Sequence, residues 1–121
     1  MDKINKLIKD SNIKLTSSRK EILEVLLNSS KPLCYDEIKI SISMDKATFY
    51  RNILKFEEED IIDSFESNDK KRYFEIKKTK HAHFICTNCS KIECIYDNLN
   101  LQLIKYKIEN IIIKGICPNC L

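Results

Sequence analysis

Apolar residues early in the chain recur at helical spacing. Ile4, Leu7 and Ile8 form one set, and Ile22, Leu23, Val25 and Leu26 form a second behind a start signal at Thr16. Thr16 can cap that second helix, while Ser18 with Glu21 offers a competing capping-box frame. Asn28-Ser29-Ser30-Lys31-Pro32 interrupts the pattern, and a short third helix is expected from about Tyr35 to Ile42, with Ile38 and Ile42 inward. Asp45 can cap a fourth helix whose apolar stripe, Ala47, Tyr50, Ile53, Leu54 and Phe56, lies opposite Lys46, Arg51 and Lys55. Two strand-like runs follow, 61–66 and 71–76, around the turn-forming Ser67-Asn68-Asp69-Lys70. Helices with a short link before the last, then a hairpin, make the layout of a winged helix over 1–76.

Lys77-Lys78-Thr79-Lys80 is polar throughout and reads as a hinge. Beyond it, 81–121 is expected to form a small α/β unit: two strands between His81 and Tyr96 around Thr87-Asn88-Cys89-Ser90, a helix from Leu99 to Lys107, and a strand from Ile108 to Ile113. The expected fold class is α+β, a winged-helix domain followed by a small α/β domain carrying a metal site.

Size and composition sharpen this picture in one respect. A chain of 121 residues divided in two leaves each part with a meagre core, so some further source of stability is expected. The hydrophobic fraction of 43% and charged fraction of 32% suit a water-soluble chain, and no apolar run is long enough to cross a bilayer. The first residues lack the apolar stretch and cleavage site of a secretory signal, so a cytoplasmic location is expected. Net charge is only +3 and by itself decides nothing about nucleic acid. Lys3, Lys6, Lys9, Lys14, Arg19 and Lys20 are nonetheless gathered at one end, against an acidic run at Glu57, Glu58, Glu59 and Asp60. That distribution suits either one basic face or ordinary solvated helix surfaces.

The six cysteines point to metal ligation or redox chemistry more than to disulfides in a reducing compartment. Cys86-Thr-Asn-Cys89 and Cys117-Pro-Asn-Cys120 are two knuckles that together complete a tetrahedral sulfur set for structural zinc. Neither knuckle sits where a strand feeds a helix, as a thioredoxin-like dithiol would require. His81 and His83, the only histidines, are spaced to share one face of a strand, which is ligand geometry; two hydrogen-bonded imidazoles are the alternative. Glu75, Glu93 and Cys94 are close enough in sequence to join them. Cys34, a lone thiol, suits a core position at least as well as a metal. The single glycine excludes a phosphate-binding loop, and no nucleophile, base and oxyanion donor stand together, so catalysis is not expected.

Several segments taken in order resemble the ferric uptake regulator family of metal-dependent transcriptional regulators. They are Leu15-Thr16-x-x-Arg19, Ala47-Thr48-Phe49-Tyr50-Arg51-Asn52, Arg72-Tyr73-Phe74-Glu75-Ile76, His81-x-His83-Phe-Ile-Cys86-x-x-Cys89 and Gly115-Ile-Cys117-x-x-Cys120. The resemblance spans nearly the whole chain. It implies a homodimer joined through the second domain and binding a palindromic, A/T-rich double-stranded operator, as a repressor, when a regulatory metal is held at the hinge. It further implies DNA contacts from Lys14, Arg19, Thr48, Tyr50, Arg51 and Asn52, with Tyr50 on thymine methyls and Lys14 in the minor groove. Glu75, His81 and His83 match three regulatory ligands of the family. Cys94 falls where the family carries a carboxylate, with Glu93 beside it, and the family's histidine from the first domain is replaced near Pro32, with Cys34 two residues later. These departures leave zinc and ferrous iron as equal expectations for the second metal. They also leave open a regulator that has lost metal sensing, or a zinc-stabilised protein-interaction module.

Overall fold

The computed structural model describes residues 2–77, 81–96 and 105–121. Four helices, α1 (Asp2–Ile8), α2 (Ser17–Leu27), α3 (Tyr35–Ile38) and α4 (Lys46–Glu58), are interleaved with a three-stranded sheet of β1 (Leu33–Cys34), β2 (Ile62–Glu66) and β3 (Arg72–Ile76). A second three-stranded sheet holds β4 (Ala82–Cys86), β5 (Ile92–Ile95) and β6 (Ile112–Gly115). The mixed helix and sheet class, with a helix-turn-helix and a hairpin wing, is the expected one.

Local signals explain the helix limits. Thr16 is the cap of α2, its Oγ1 accepting the Arg19 N–H at 3.3 Å; the competing frame is not used, because Glu21 turns outward to accept from Ser43. Asp45 caps α4 by accepting the Thr48 N–H at 3.0 Å. At the other end of α4, the Ile61 N–H donates to Phe56 O at 2.9 Å and the Asp60 N–H to Glu57 O at 3.1 Å, with Asp60 at φ 58°. This is a Schellman closure, and Ile61 and Phe56 are both buried, as its hydrophobic contact requires. The expected third helix breaks after Ile38 into a turn of 3-10 helix at Lys39–Ser41, leaving Ile38 buried and Ile42 half-buried.

The apolar stripe of α4 is Phe49, Ile53 and Phe56, spaced four and three residues apart. The expected set was rotated: Ala47 and Leu54 are exposed and Tyr50 is at the edge. Phe49 is fully buried and meets Tyr35 at 5.0 Å, Tyr50 at 5.1 Å and Phe74 at 5.6 Å between ring centroids. With Ile22, Leu23, Leu26 and Ile38, these residues make the main core.

The first sheet has the order β1-β3-β2 and is antiparallel, with Asp63 opposite Glu75 and Phe65 opposite Tyr73. The second has the order β5-β4-β6, with β4 antiparallel to β5 and parallel to β6. The last strand is displaced from the expected 108–113 to Ile112–Gly115, which brings Gly115 opposite Cys86 and the second knuckle beside the first. A Cβ on Gly115 would stand 3.3 Å from Phe84 Cε1, so the approach there favours glycine. Most of the expected helix from Leu99 lies outside the described residues; Lys105 to Lys107 are not helical. Among the described residues, no helix is long and apolar enough to cross a membrane.

Candidate metal centres and nucleic-acid interface

The parallel pairing of β4 with β6 sets the two cysteine knuckles side by side. The ligand atoms of Cys86, Cys89, Cys117 and Cys120 all lie within 4.8 Å of one another. The Sγ atoms of Cys89 and Cys117 are 3.8 Å apart. A tetrahedral zinc with Zn–S bonds of about 2.3 Å requires sulfur separations of about 3.8 Å, so the set fits zinc without rearrangement of this pair. Cys86 Sγ accepts the backbone N–H groups of Cys89 and of Cys117, each at 3.4 Å. Those donors, Cys89 first and Cys117 next, pull the Cys86 thiol down to about 6. Backbone donors thus favour the thiolate that a metal needs.

A second cluster joins the two sheets. Glu75, next to last in β3, is buried, and its carboxylate accepts the Nε2–H of His83 at Oε2, 2.8 Å away. His81 Nε2 stands 2.8 Å from Oε1. Strand alternation puts His81 and His83 on one face, as the spacing predicts, and the β4–β5 register sets Cys94 directly opposite His83. Cys94 Sγ is 4.0 Å from Glu75 Oε2. The ligand atoms of all four residues lie within 4.8 Å of one another. His83 Nδ1 is buried without a hydrogen-bond partner among the described residues. A buried carboxylate, two imidazoles and a thiol converging in this way form a donor set that fits a divalent cation. A cavity of 460 Å³, lined by His81, His83, Asp63 and residues 107–111 among others, opens onto the two imidazoles and provides an entry path.

Two sequence candidates stand apart from this cluster. Glu93 is paired with Phe84, so alternation turns it to the face opposite Cys94, where it accepts from Lys91 Nζ at 2.8 Å. Cys34 is buried at the start of α3, opposite Tyr73, and its N–H donates to Glu37 Oε1 at 3.1 Å. It is a core and capping position. Other residues at the cluster were not foreseen. Phe65 stacks on the His83 ring with centroids 4.4 Å apart, and Tyr96 on the His81 ring at 4.8 Å. Asp63, facing Glu75 across the ladder, has its carboxyl pushed up by burial, with Lys77 opposing. The alternation of Asp63 and Phe65 with Ile62 and Ser64 was the available signal, but it needs the ladder register to be read.

The positions expected at DNA lie on α4, in the first turn of α2 and, for Lys14, in the segment before α2. Arg51 is exposed and Thr48, Tyr50 and Asn52 half-buried. Arg19 ties the helices together: its Nε donates to Asn52 Oδ1 at 3.1 Å and its Nη1 to the Lys14 carbonyl at 2.8 Å. Tyr50 is pinned against Phe49, and Phe74 and Tyr35 lie 6.1 and 5.9 Å from its ring. Burial pushes its phenol up. Lys46 Nζ approaches the Tyr35 ring at 5.4 Å. Lys46 at the first position of α4, Arg51 in its second turn and Lys14 ahead of α2 are all exposed cations.

A model of the ferric uptake regulator family matches residues 10–114. The ferric uptake regulation protein of Staphylococcus epidermidis is 31% identical over 129 residues, pairing 95% of this chain with 92% of that one. The peroxide operon regulator of Bacillus subtilis (strain 168) is 27% identical over 127 residues, pairing 93% with 88%. Among solved structures, the ferric uptake regulator of Helicobacter pylori, described as having three functional metal binding sites, superposes with a TM-score of 0.76. It is 26% identical and the match covers 98% of this chain and 89% of that one.

Proposed function

The chain belongs to the ferric uptake regulator family, whose members are transcription regulators and not enzymes, and from that premise we propose a metal-gated DNA-binding regulator. Residues 1–76 serve as the DNA-binding domain, 77–80 as a hinge and 81–121 as the dimerisation domain. Zinc held by Cys86, Cys89, Cys117 and Cys120 staples the second sheet, since metal binding free energy becomes folding free energy. A second divalent cation, zinc or ferrous iron, is held by Glu75, His81, His83 and Cys94. As a homodimer the protein binds a two-fold related, A/T-rich duplex, with α4 in the major groove and Lys14, Arg19, Thr48, Tyr50, Arg51 and Asn52 at the contact.

One observation carries the regulatory part of this reading: the buried Glu75 carboxylate belongs to the wing hairpin, whereas the two imidazoles beside it come from β4, at His83, and from the residue just before it, His81. A cation bound among them ties the wing to the second sheet and favours whichever arrangement of the two brings the ligands together. It changes DNA affinity only to the extent that it binds that arrangement better than others. The test uses duplexes selected from a random pool by the metal-loaded protein, with affinity measured at one fixed salt concentration. Wild type should bind more tightly with zinc or ferrous iron added, and His81→Ala should lose that dependence. Equal metal dependence in the two proteins sinks the proposal.

A further inference from the structure

Three of the four donors in the Glu75 cluster already form a familiar set. Two imidazoles and one carboxylate, with the remaining positions open to water or ligand, are the arrangement that ferrous iron takes in many proteins. We propose that Cys94 is the specificity-determining ligand of this site, closing that iron-type triad with sulfur into a four-donor set that selects zinc over ferrous iron. The proposal deepens the reading of the cluster as a regulatory metal site and rests on it.

The register of β5 decides which side chain reaches the site. Cys94 is opposite His83 and shares its face of the sheet, while Glu93, one residue earlier, faces the other way and is engaged with Lys91. A slip of one residue would offer a carboxylate in place of the thiol. The observed pairing therefore puts sulfur, not oxygen, in the fourth position, with Cys94 Sγ at 4.0 Å from Glu75 Oε2. Two nitrogens, one oxygen and one sulfur match the four-coordinate preference of zinc, whose ligands are thiolate, imidazole and carboxylate. Ferrous iron gains less from the thiolate and loses an open position to it.

Aromatic packing also borders the site. Tyr96, two residues after Cys94, stacks on His81 with ring centroids 4.8 Å apart. Tyr96 and Cys94 border a small cavity of about 40 Å³ together with Glu75 and the loop after α2, with room for only a few waters beside the sulfur.

The test starts from protein holding one zinc per chain in the four-cysteine site, titrated without oxygen with cobalt(II), whose spectrum reports its ligands. A second equivalent should bind with a thiolate-to-cobalt charge-transfer band and the strong visible absorption of a four-coordinate ion. Metal analysis checks that the first zinc stays bound. Cys94→Asp should still bind this cobalt but without the charge-transfer band. Its preference for zinc over ferrous iron, measured by competition, should fall by at least about 10-fold. Cys94→Ser, which keeps the size of the side chain, should lose the band in the same way and serves if the aspartate variant fails to fold. Binding of cobalt at the second site without the band in wild type, or an unchanged zinc-to-iron preference in both variants, overturns the role of Cys94 alone. Absence of a second equivalent in wild type, or a second equivalent indifferent to His83→Ala, overturns the regulatory site itself and the proposal with it.

Discussion

Replacing Phe65 by leucine separates packing from metal binding at the cluster. The ring is 3% exposed, and its face lies on the His83 imidazole with centroids 4.4 Å apart and planes 27° from parallel. Folding thereby fixes one ligand before any metal arrives. Leucine keeps most of the buried volume, so Phe65→Leu should lower stability by about 1–2 kcal/mol, the sum of a shape change and a lost ring contact. Without the ring His83 regains rotamer freedom in the metal-free protein, and metal binding must remove it again. Immobilising one side chain on binding costs about 0.5–1.5 kcal/mol. At 1.4 kcal/mol per tenfold, the second metal should bind about 2- to 12-fold more weakly. Urea denaturation gives the first quantity, and competition with a zinc chelator, on protein already holding its four-cysteine zinc, gives the second. Occupancy of the four-cysteine site should not change. Affinity for the second metal equal to wild type, alongside the expected loss of stability, would refute the idea that Phe65 orients His83.

Cys120→Ser should remove about one zinc per chain by metal analysis and raise hydrogen exchange in β4 and β6 much more than in α2 and α4; uniform loss of protection would contradict a local staple. In metal-free protein, one thiol should ionise near pH 6 by ultraviolet absorbance and disappear in Cys86→Ser. Because that folded value lies below the unfolded thiol near about 8.5, the associated stability is fully present above the unfolded value and is lost as pH falls through about 6. All six thiols titrating above pH 8 would contradict the backbone donors as its cause. Asp45→Ala should cost about 0.5–2 kcal/mol in thermal or urea unfolding through loss of the 3.0 Å cap on Thr48, and a change below a few tenths would deny the cap its role.

The sequence made the winged-helix layout legible because its signals are local. Thr16 and Asp45 mark helix starts by chemistry, and the alternating runs around Ser67–Lys70 mark a hairpin. The two knuckles were legible as well, since their spacing alone brings thiolates into pairs. What escaped depends on partners distant in sequence. β1 has only Leu33 and Cys34, too few for any periodicity, and exists because β3 provides a ladder partner. Tyr50 and Leu54 are apolar enough to suggest a core stripe, but the helix turns Phe49 inward because Tyr35 and Phe74 wait there. The choice between Glu93 and Cys94 could not be made without the pairing of β5, because adjacent strand residues face opposite sides. Phe65 and Tyr96 are ordinary aromatics in sequence and acquire meaning only from the imidazoles they cover.

β3 carries more than one duty along its length. Its five residues run from Arg72, beside the wing turn, to Ile76, just past Glu75, and at about 3.4 Å per residue they cover roughly 14 Å. β2 pairs with all five residues on one side and β1 with Tyr73 and Phe74 on the other, so the middle of the strand is held at both edges. Tyr73, two residues before Glu75 and on the same face, donates its hydroxyl to Asp69 in the turn at 2.7 Å. Cluster and wing turn therefore sit at the two ends of one paired strand, which gives any displacement of Glu75 a short, hydrogen-bonded route to the hairpin turn.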